Sequence, residues 1–223
     1  MEFIAFPKLH RLMRGEWVVS EKLDGTNACV QVTLAGELLP ENYSYSTAHG
    51  AAGWVAENNP QFAHVEVDNV YYVVAAQSRK RMITPEDDNY GFARWVYDNA
   101  EGLARALGPG AHFGEWWGQG VQRRYGMDRK LFSLFNTGRW SEDLAVHEDK
   151  TEVSGLRVVP VLATIQAHDA EAFEEVTDRL RMTGSIAAPG FMDPEGVVVF
   201  DTGNRTMGKW TFKGDEPKWT KSS

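Results

Sequence analysis

The chain is poor in the residues that would place it outside the cell or in a membrane. It has one cysteine, Cys29, so no internal disulfide can form. No stretch approaches the roughly 18 consecutive apolar residues that a membrane helix needs. The opening MEFIAFPKLHRLMRGEW lacks the basic-then-apolar order of an export signal. A cytoplasmic protein without membrane contact is the expectation. The six histidines, at positions 10, 49, 64, 112, 147 and 168, show no ligand spacing, which argues against a structural zinc site. Net basic charge is also missing. With 23 Lys and Arg against 31 Asp and Glu the formal charge is -8, which excludes indiscriminate gripping of polyanions by the whole surface.

What is present reads as a globular chain of 223 residues with 43% hydrophobic and 24% charged residues. The expected class is α+β. EWVVS and ACVQVTL predict two strands around EKLDGTN, where Asp24-Gly25 is a turn dipeptide. Residues 35–61 predict loops with a short helix, and Val65 to Ala76 a strand or mixed element. Phe92, Trp95, Val96, Leu103 and Leu107 recur at helical spacing, with Asn89 and Gly108 as boundary signals. AHFGEWWGQG and KLFSLFN predict strands, Asp169 to Met182 a helix, and EGVVVF and MGKWTFKG two strands joined by DTGNR. A single domain over 1–223 is expected, with a small insertion between 137 and 190. Ten residues follow Lys213, so no separate C-terminal domain is evident.

Lys22 and Asp24 would face the same side of a strand that stops at Gly25, so both could border a pocket. A lysine there is either a solvated edge charge or a nucleophile that attacks phosphorus and holds the transferred group as a phosphoramidate. An alkyl amine is ordinarily protonated near neutral pH, so a nucleophile needs a route to its free-base form. The local basic runs, Arg79-Lys80-Arg81 and Arg123, Arg124, Arg129 and Lys130, gain interest only beside other phosphate-handling residues.

Lys22-Leu23-Asp24-Gly25 resembles the KxDG nucleotidyl-acceptor motif of the covalent nucleotidyltransferase superfamily of polynucleotide ligases and capping guanylyltransferases. The resemblance continues in order through Ser78-Arg79-Lys80-Arg81, Phe113-Gly114-Glu115-Trp116-Trp117-Gly118, Glu195-Gly196-Val197-Val198 and Lys209 to Lys213. EKLDGTN, SRKRMITPEDDNYGF and FGEWWGQGVQRRYG are most similar to ATP-dependent RNA ligases, especially the double-strand RNA ligase branch. The fold that this resemblance implies is an α+β nucleotidyltransferase (ATP-grasp-like ligase) core with antiparallel sheets around a nucleotide pocket. The implied reaction runs through lysine-AMP and RNA-adenylate intermediates and joins a 5'-phosphate to a 3'-hydroxyl.

The resemblance implies residue roles as well. Lys22 would be the nucleophile, supported by Asp24, with Asn27 assisting transfer or joining; the local alternative for Asp24 and Asn27 is a hydrogen-bonded turn. Glu21, Lys22, Arg79, Glu115, Phe132 or Phe135, Glu195, Lys209 and Lys213 would bind the nucleotide. Of these, Arg79 would fork a phosphate, Glu115 would hold the ribose, and one of the two phenylalanines would stack on adenine. Glu195 would also hold Mg2+, with Mn2+ as an alternative. Arg81, Arg123 and Arg124 would meet the nucleic acid. Relatives commonly space their last two lysines one residue apart, whereas this chain has Lys209 and Lys213, on one face if the segment is a strand, with Lys218 as a further candidate.

The expected partners are RNA ends, in a nicked duplex or a broken structured RNA, and a protein partner is left open. A capping-type guanylyltransferase, a DNA nick ligase and a non-catalytic RNA-binding module are the alternatives.

Overall fold

The computed structural model describes residues 15–41, 50–140 and 153–213. Lys218 and residues 141–152 of the expected insertion lie outside them. The fold is α+β, as expected, with its contacts sorted into two compact units: Met1–Lys22 with Val161–Ser223, and Leu23–Pro160. No helix among the described residues is long and apolar enough to cross a membrane.

The first unit is a four-stranded antiparallel sheet built from β1 (Glu16–Lys22), β9 (Val161–Gln166), β10 (Gly196–Asp201) and β11 (Thr206–Thr211), in the order β11-β10-β1-β9. One face is packed against α4 (Ala170–Thr183). Alternation along β1 and β10 turns Val19, Val197 and Val199 toward Val176 and Leu180 of that helix. The Asp169 carboxylate accepts the Ala172 amide at 3.1 Å and so caps the helix, which ends at Gly184. The β10–β11 turn is organised by the Asp201 carboxylate, which accepts the amides of Gly203 and Asn204, the Asn204 side chain and the Trp17 indole.

The second unit carries a seven-stranded sheet made of β2 (Thr26–Leu34), β3 (Ala63–Val67), β4 (Val70–Ser78), β5 (Met82–Ile83), β6 (Gly110–Gly118), β7 (Lys130–Leu134) and β8 (Leu156–Val158). Its order is β3-β4-β2-β6-β7-β8, with β5 on β4; all pairs are antiparallel except β7 with β8. The helices α2 (Phe92–Asp98) and α3 (Ala100–Leu107) supply Phe92, Val96, Leu103 and Leu107 to a core shared with Val30, Val32, Val74, Trp116, Phe132 and Leu134. Val55 of α1 (Gly50–Asn58) joins a smaller cluster with Ala35 and Val73.

Three local expectations are corrected. β1 and β2 belong to different sheets, so Asp24-Gly25 does not close a hairpin. Gly25 also has no positive φ; it is small because a Cβ there would lie 2.4 Å from the Trp116 carbonyl oxygen. The segment around 65–76 is a hairpin, turned by Asp68 and Asn69 with φ of 52° and 64°, the left-handed pair that a two-residue turn demands. The predicted long helix is two helices broken at Asn99. Its N-terminal acceptor is Asp88 rather than Asn89: the Asp88 carboxylate takes the amides of Ala93 and Arg94.

Gly196 opens β10 opposite Lys22 of β1 and Thr211 of β11. Its φ is 152°, and an added Cβ would stand 2.0 Å from the Trp210 carbonyl oxygen. Gly196→Ala is therefore expected to lower unfolding stability by about 2 kcal/mol or more in a denaturant titration. An unchanged midpoint would mean that the strands have room there.

Candidate active site

The face of the four-stranded sheet away from α4 holds Lys22 and Lys209, two of the expected phosphate-handling residues. Paired residues of antiparallel strands point the same way, so Lys22, Gly196 and Thr211 form one row, and Ser20, Val198 and Lys209 the next. Lys22 and Lys209 thus share a face. Gly196, with no side chain, leaves a bare lane between Lys22 and Thr211. Glu195, just before β10, accepts a hydrogen bond from Lys22 Nζ at 2.7 Å, and both side chains are about four-fifths shielded from solvent. Lys209 is exposed, and Lys213 reaches the Asp193 carboxylate at 2.7 Å. The departure from the usual lysine spacing therefore puts Lys209 on the face of Lys22 and couples Lys213 to Asp193.

Glu21 goes the other way. Strand alternation sends its side chain into the interior, where the residue is 1% exposed and Oε2 accepts the amides of Ile186 and Ala187 at 2.8 and 2.9 Å. Oε1 is buried with no hydrogen-bond partner. Burial pushes the carboxyl above its ordinary pKa, an effect partly offset by the nearby Ser185 hydroxyl and the two amides.

In the second unit, the sheet face away from α2 and α3 carries the remaining motif residues. The register sets Asn27 opposite Glu115 and Glu115 opposite Ser133. Glu115 Oε1 accepts the Gly25 amide and Oε2 the Asn27 side chain, both at 3.0 Å, so one carboxylate fixes the start of β2 and aims Asn27. Asp24 is held from the loop after β6: its carboxylate accepts Arg123 Nε at 2.8 Å, and its amide donates to the buried Tyr125 hydroxyl at 2.7 Å. That loop is conformationally unusual, with left-handed Gln122, Arg124 and Tyr125.

The two candidate stacking phenylalanines separate. Phe132 is fully buried and packs on Phe92 at 5.0 Å, whereas Phe135 is 40% exposed. Phe113, 55% exposed, is a second accessible ring beside it, since the Phe135 amide donates to the Phe113 carbonyl. The resemblance implies no role for Phe113, yet two-residue alternation from Glu115 puts it on the Glu115 face. Arg79 and Arg124 are exposed. Arg81 makes a two-pronged ion pair with Asp87, and Arg123 is engaged with Asp24.

No group of three or more His, Cys, Asp or Glu able to hold a metal occurs among the described residues. The donor set still fits Mg2+ or Mn2+ of the kind that is bound through one carboxylate, water and substrate phosphates, with Glu195 as the carboxylate.

One sheet thus carries a lysine paired with a glutamate and a second lysine on the same face, and the other sheet carries an Asn held by a Glu. The family model for RNA ligase matches residues 15–215, and the chain belongs to the RNA ligase family. No curated protein matches. Among solved structures, the chain is similar to Naegleria gruberi RNA ligase. A lysine-to-alanine variant with ATP and Mn gives a TM-score of 0.52 at 16% identity, a glutamate-to-alanine variant with AMP and Mn 0.51 at 16%, and an apo lysine-to-alanine variant 0.50 at 15%. Each match covers 90% of this chain and 50% of the other, so the chain spans about half the length of the ligases it resembles. At these identities the likeness is one of fold.

The raised pKa of Glu21 has a pH consequence. The unfolded chain releases this proton near 4.5 and the folded chain at a higher pH. The group's favourable contribution is thus fully present below 4.5 and fades as pH rises through the folded value. Glu21→Gln has no such proton, so unfolding titrations should show its stability relative to wild type improving as pH rises above 4.5. A difference independent of pH would show that the carboxyl titrates normally.

Proposed function

We propose that this chain is an ATP-dependent RNA ligase that joins 5'-phosphate and 3'-hydroxyl RNA ends through lysine-AMP and RNA-adenylate intermediates. The observation that carries the reading is Lys22 Nζ at 2.7 Å from Glu195, beside the bare lane at Gly196 and on the face of Lys209.

In the first step Lys22 Nζ gives its lone pair to the α-phosphorus of ATP, the bond to the β-phosphate oxygen breaks, and pyrophosphate leaves. The amine must first shed a proton, and Glu195 is the carboxylate in contact with it. A divalent cation bound with the nucleotide would supply charge neutralisation at the phosphates, with Glu195 as its protein ligand. Lys209 meets the developing negative charge from the same sheet face. Glu115 and Asn27 receive the ribose side, and the exposed Phe135 stacks on the base. In the second step an RNA 5'-phosphate oxygen attacks the same phosphorus and the Lys22 nitrogen leaves. In the third, a 3'-hydroxyl attacks the 5'-phosphate and AMP departs.

Asn27 acts chiefly in these last two steps, because its amide is aimed by Glu115 rather than joined to Lys22. RNA approaches the exposed Arg79 and Arg124, while Arg81 and Arg123 support neighbouring segments through Asp87 and Asp24. The local similarity of EKLDGTN to the double-strand branch favours nicked duplex RNA. Mg2+ is the expected cation.

The reading is tested with α-labelled ATP or GTP and Mg2+, then denaturing electrophoresis. Wild type should retain label from ATP, and Lys22→Ala none; label from GTP alone would assign capping chemistry instead. On nicked duplex RNA, single-stranded RNA and nicked DNA, joining should be fastest on nicked RNA. Asn27→Ala should lose end joining by about 100-fold while keeping most adenylation. Equal loss of both would remove its step-specific role.

A further inference from the structure

Two consecutive residues of β1 grip the two ends of one loop. Glu21 points inward and accepts the amides of Ile186 and Ala187; Lys22 points outward and donates to Glu195. Between these points the chain runs from the end of α4 to the start of β10. Its first part is closed on itself: the Ser185 amide donates to the Phe191 carbonyl at 2.8 Å, the Phe191 amide to the Ala188 carbonyl at 3.0 Å, and the Ala188 amide to the Ser185 hydroxyl at 3.0 Å. Its last residue is tied to the residue that follows β11, since Glu195 accepts the Phe212 amide through its carbonyl. A displacement of the loop's start is therefore passed on through few free torsions to its end.

We propose that Glu21 is a positioning residue, whose buried carboxylate seats the 185–195 loop and so sets Glu195 against Lys22. The inference rests on Lys22 being the adenylated residue. It also gives Glu21 a place other than nucleotide contact: a carboxylate buried to 1% exposure and holding two amides serves the protein's own backbone. Burying an acid is costly, and an apolar residue at this strand position would avoid the cost. An apolar residue would, however, leave the Ile186 and Ala187 amides without their acceptor and the loop without its anchor.

The test uses the full chain, the single-turnover rate of Lys22 labelling over a range of ATP concentrations, and amide hydrogen exchange. Wild type should protect the Ile186 and Ala187 amides. Glu21→Gln keeps an acceptor oxygen for both and should keep that protection and most of the labelling rate. Glu21→Ala should lose the protection and slow labelling at saturating ATP by about tenfold or more, with the half-saturating ATP concentration little changed. Three results would overturn the proposal: labelling by folded Glu21→Ala at the wild-type rate, a raised ATP requirement with an unchanged maximal rate, or unprotected amides in wild type. Absence of label from wild type, with these amides protected, would instead locate the failure in the adenylation reading and remove Glu21's catalytic consequence with it.

Discussion

The register of β1 against β10 is the constraint from which the rest of the first unit follows. It places Lys22 opposite Gly196, brings Glu195 to the lysine amine, and through β11 adds Thr211 and Lys209 to the same face. A slip of one residue would send Lys22 into the interior and Glu21 out, because strand side chains alternate with a period of two. The valines fix the register. Val19, Val197 and Val199 pack on α4, and no shift by an odd number of residues keeps them buried. Hydrophobic burial, which is non-directional, thereby specifies the direction of the lysine.

The seven-stranded sheet uses the same separation of faces. Its helix-covered side takes Trp116, Phe132 and Leu134, while its other side presents Asn27, Glu115 and Ser133. The polar residues there are braced by one another. Glu115 holds both Gly25 and Asn27, and Arg123 and Tyr125 hold Asp24 from a loop in left-handed conformations. In this unit Arg81 and Arg123 pair with local carboxylates, while Arg79 and Arg124 face solvent. An acidic chain can thus present cationic groups at chosen points without a general affinity for polyanions.

Much of this was legible in the residues, for reasons that differ by element. Short apolar runs and the boundary at Asp169 made β1, β10, β11 and α4 readable, whereas β9 lay unread within the expected insertion, and the order of short motifs picked out Lys22, Glu115 and Glu195. Other features depend on contacts far apart in the chain. Asp24-Gly25 reads as a hairpin turn because the dipeptide usually is one, yet the flanking strands join different sheets. Phe132 and Phe135 are equivalent in KLFSLF until Phe92 packs on the former. Asp88 displaced Asn89 because both are good caps and only the backbone path selects between neighbours. Glu21 carried no local sign that it would be buried against residues 186 and 187.

The central claim is that Lys22 becomes covalently bonded to AMP. Its most direct measurement is peptide mapping by mass spectrometry after incubation with ATP and Mg2+. The account predicts one adenylate on the peptide containing Lys22, fragmenting at Nζ and reversed by added pyrophosphate. An adenylate on Lys209 or Lys213, or none on a protein shown to bind ATP, would contradict it.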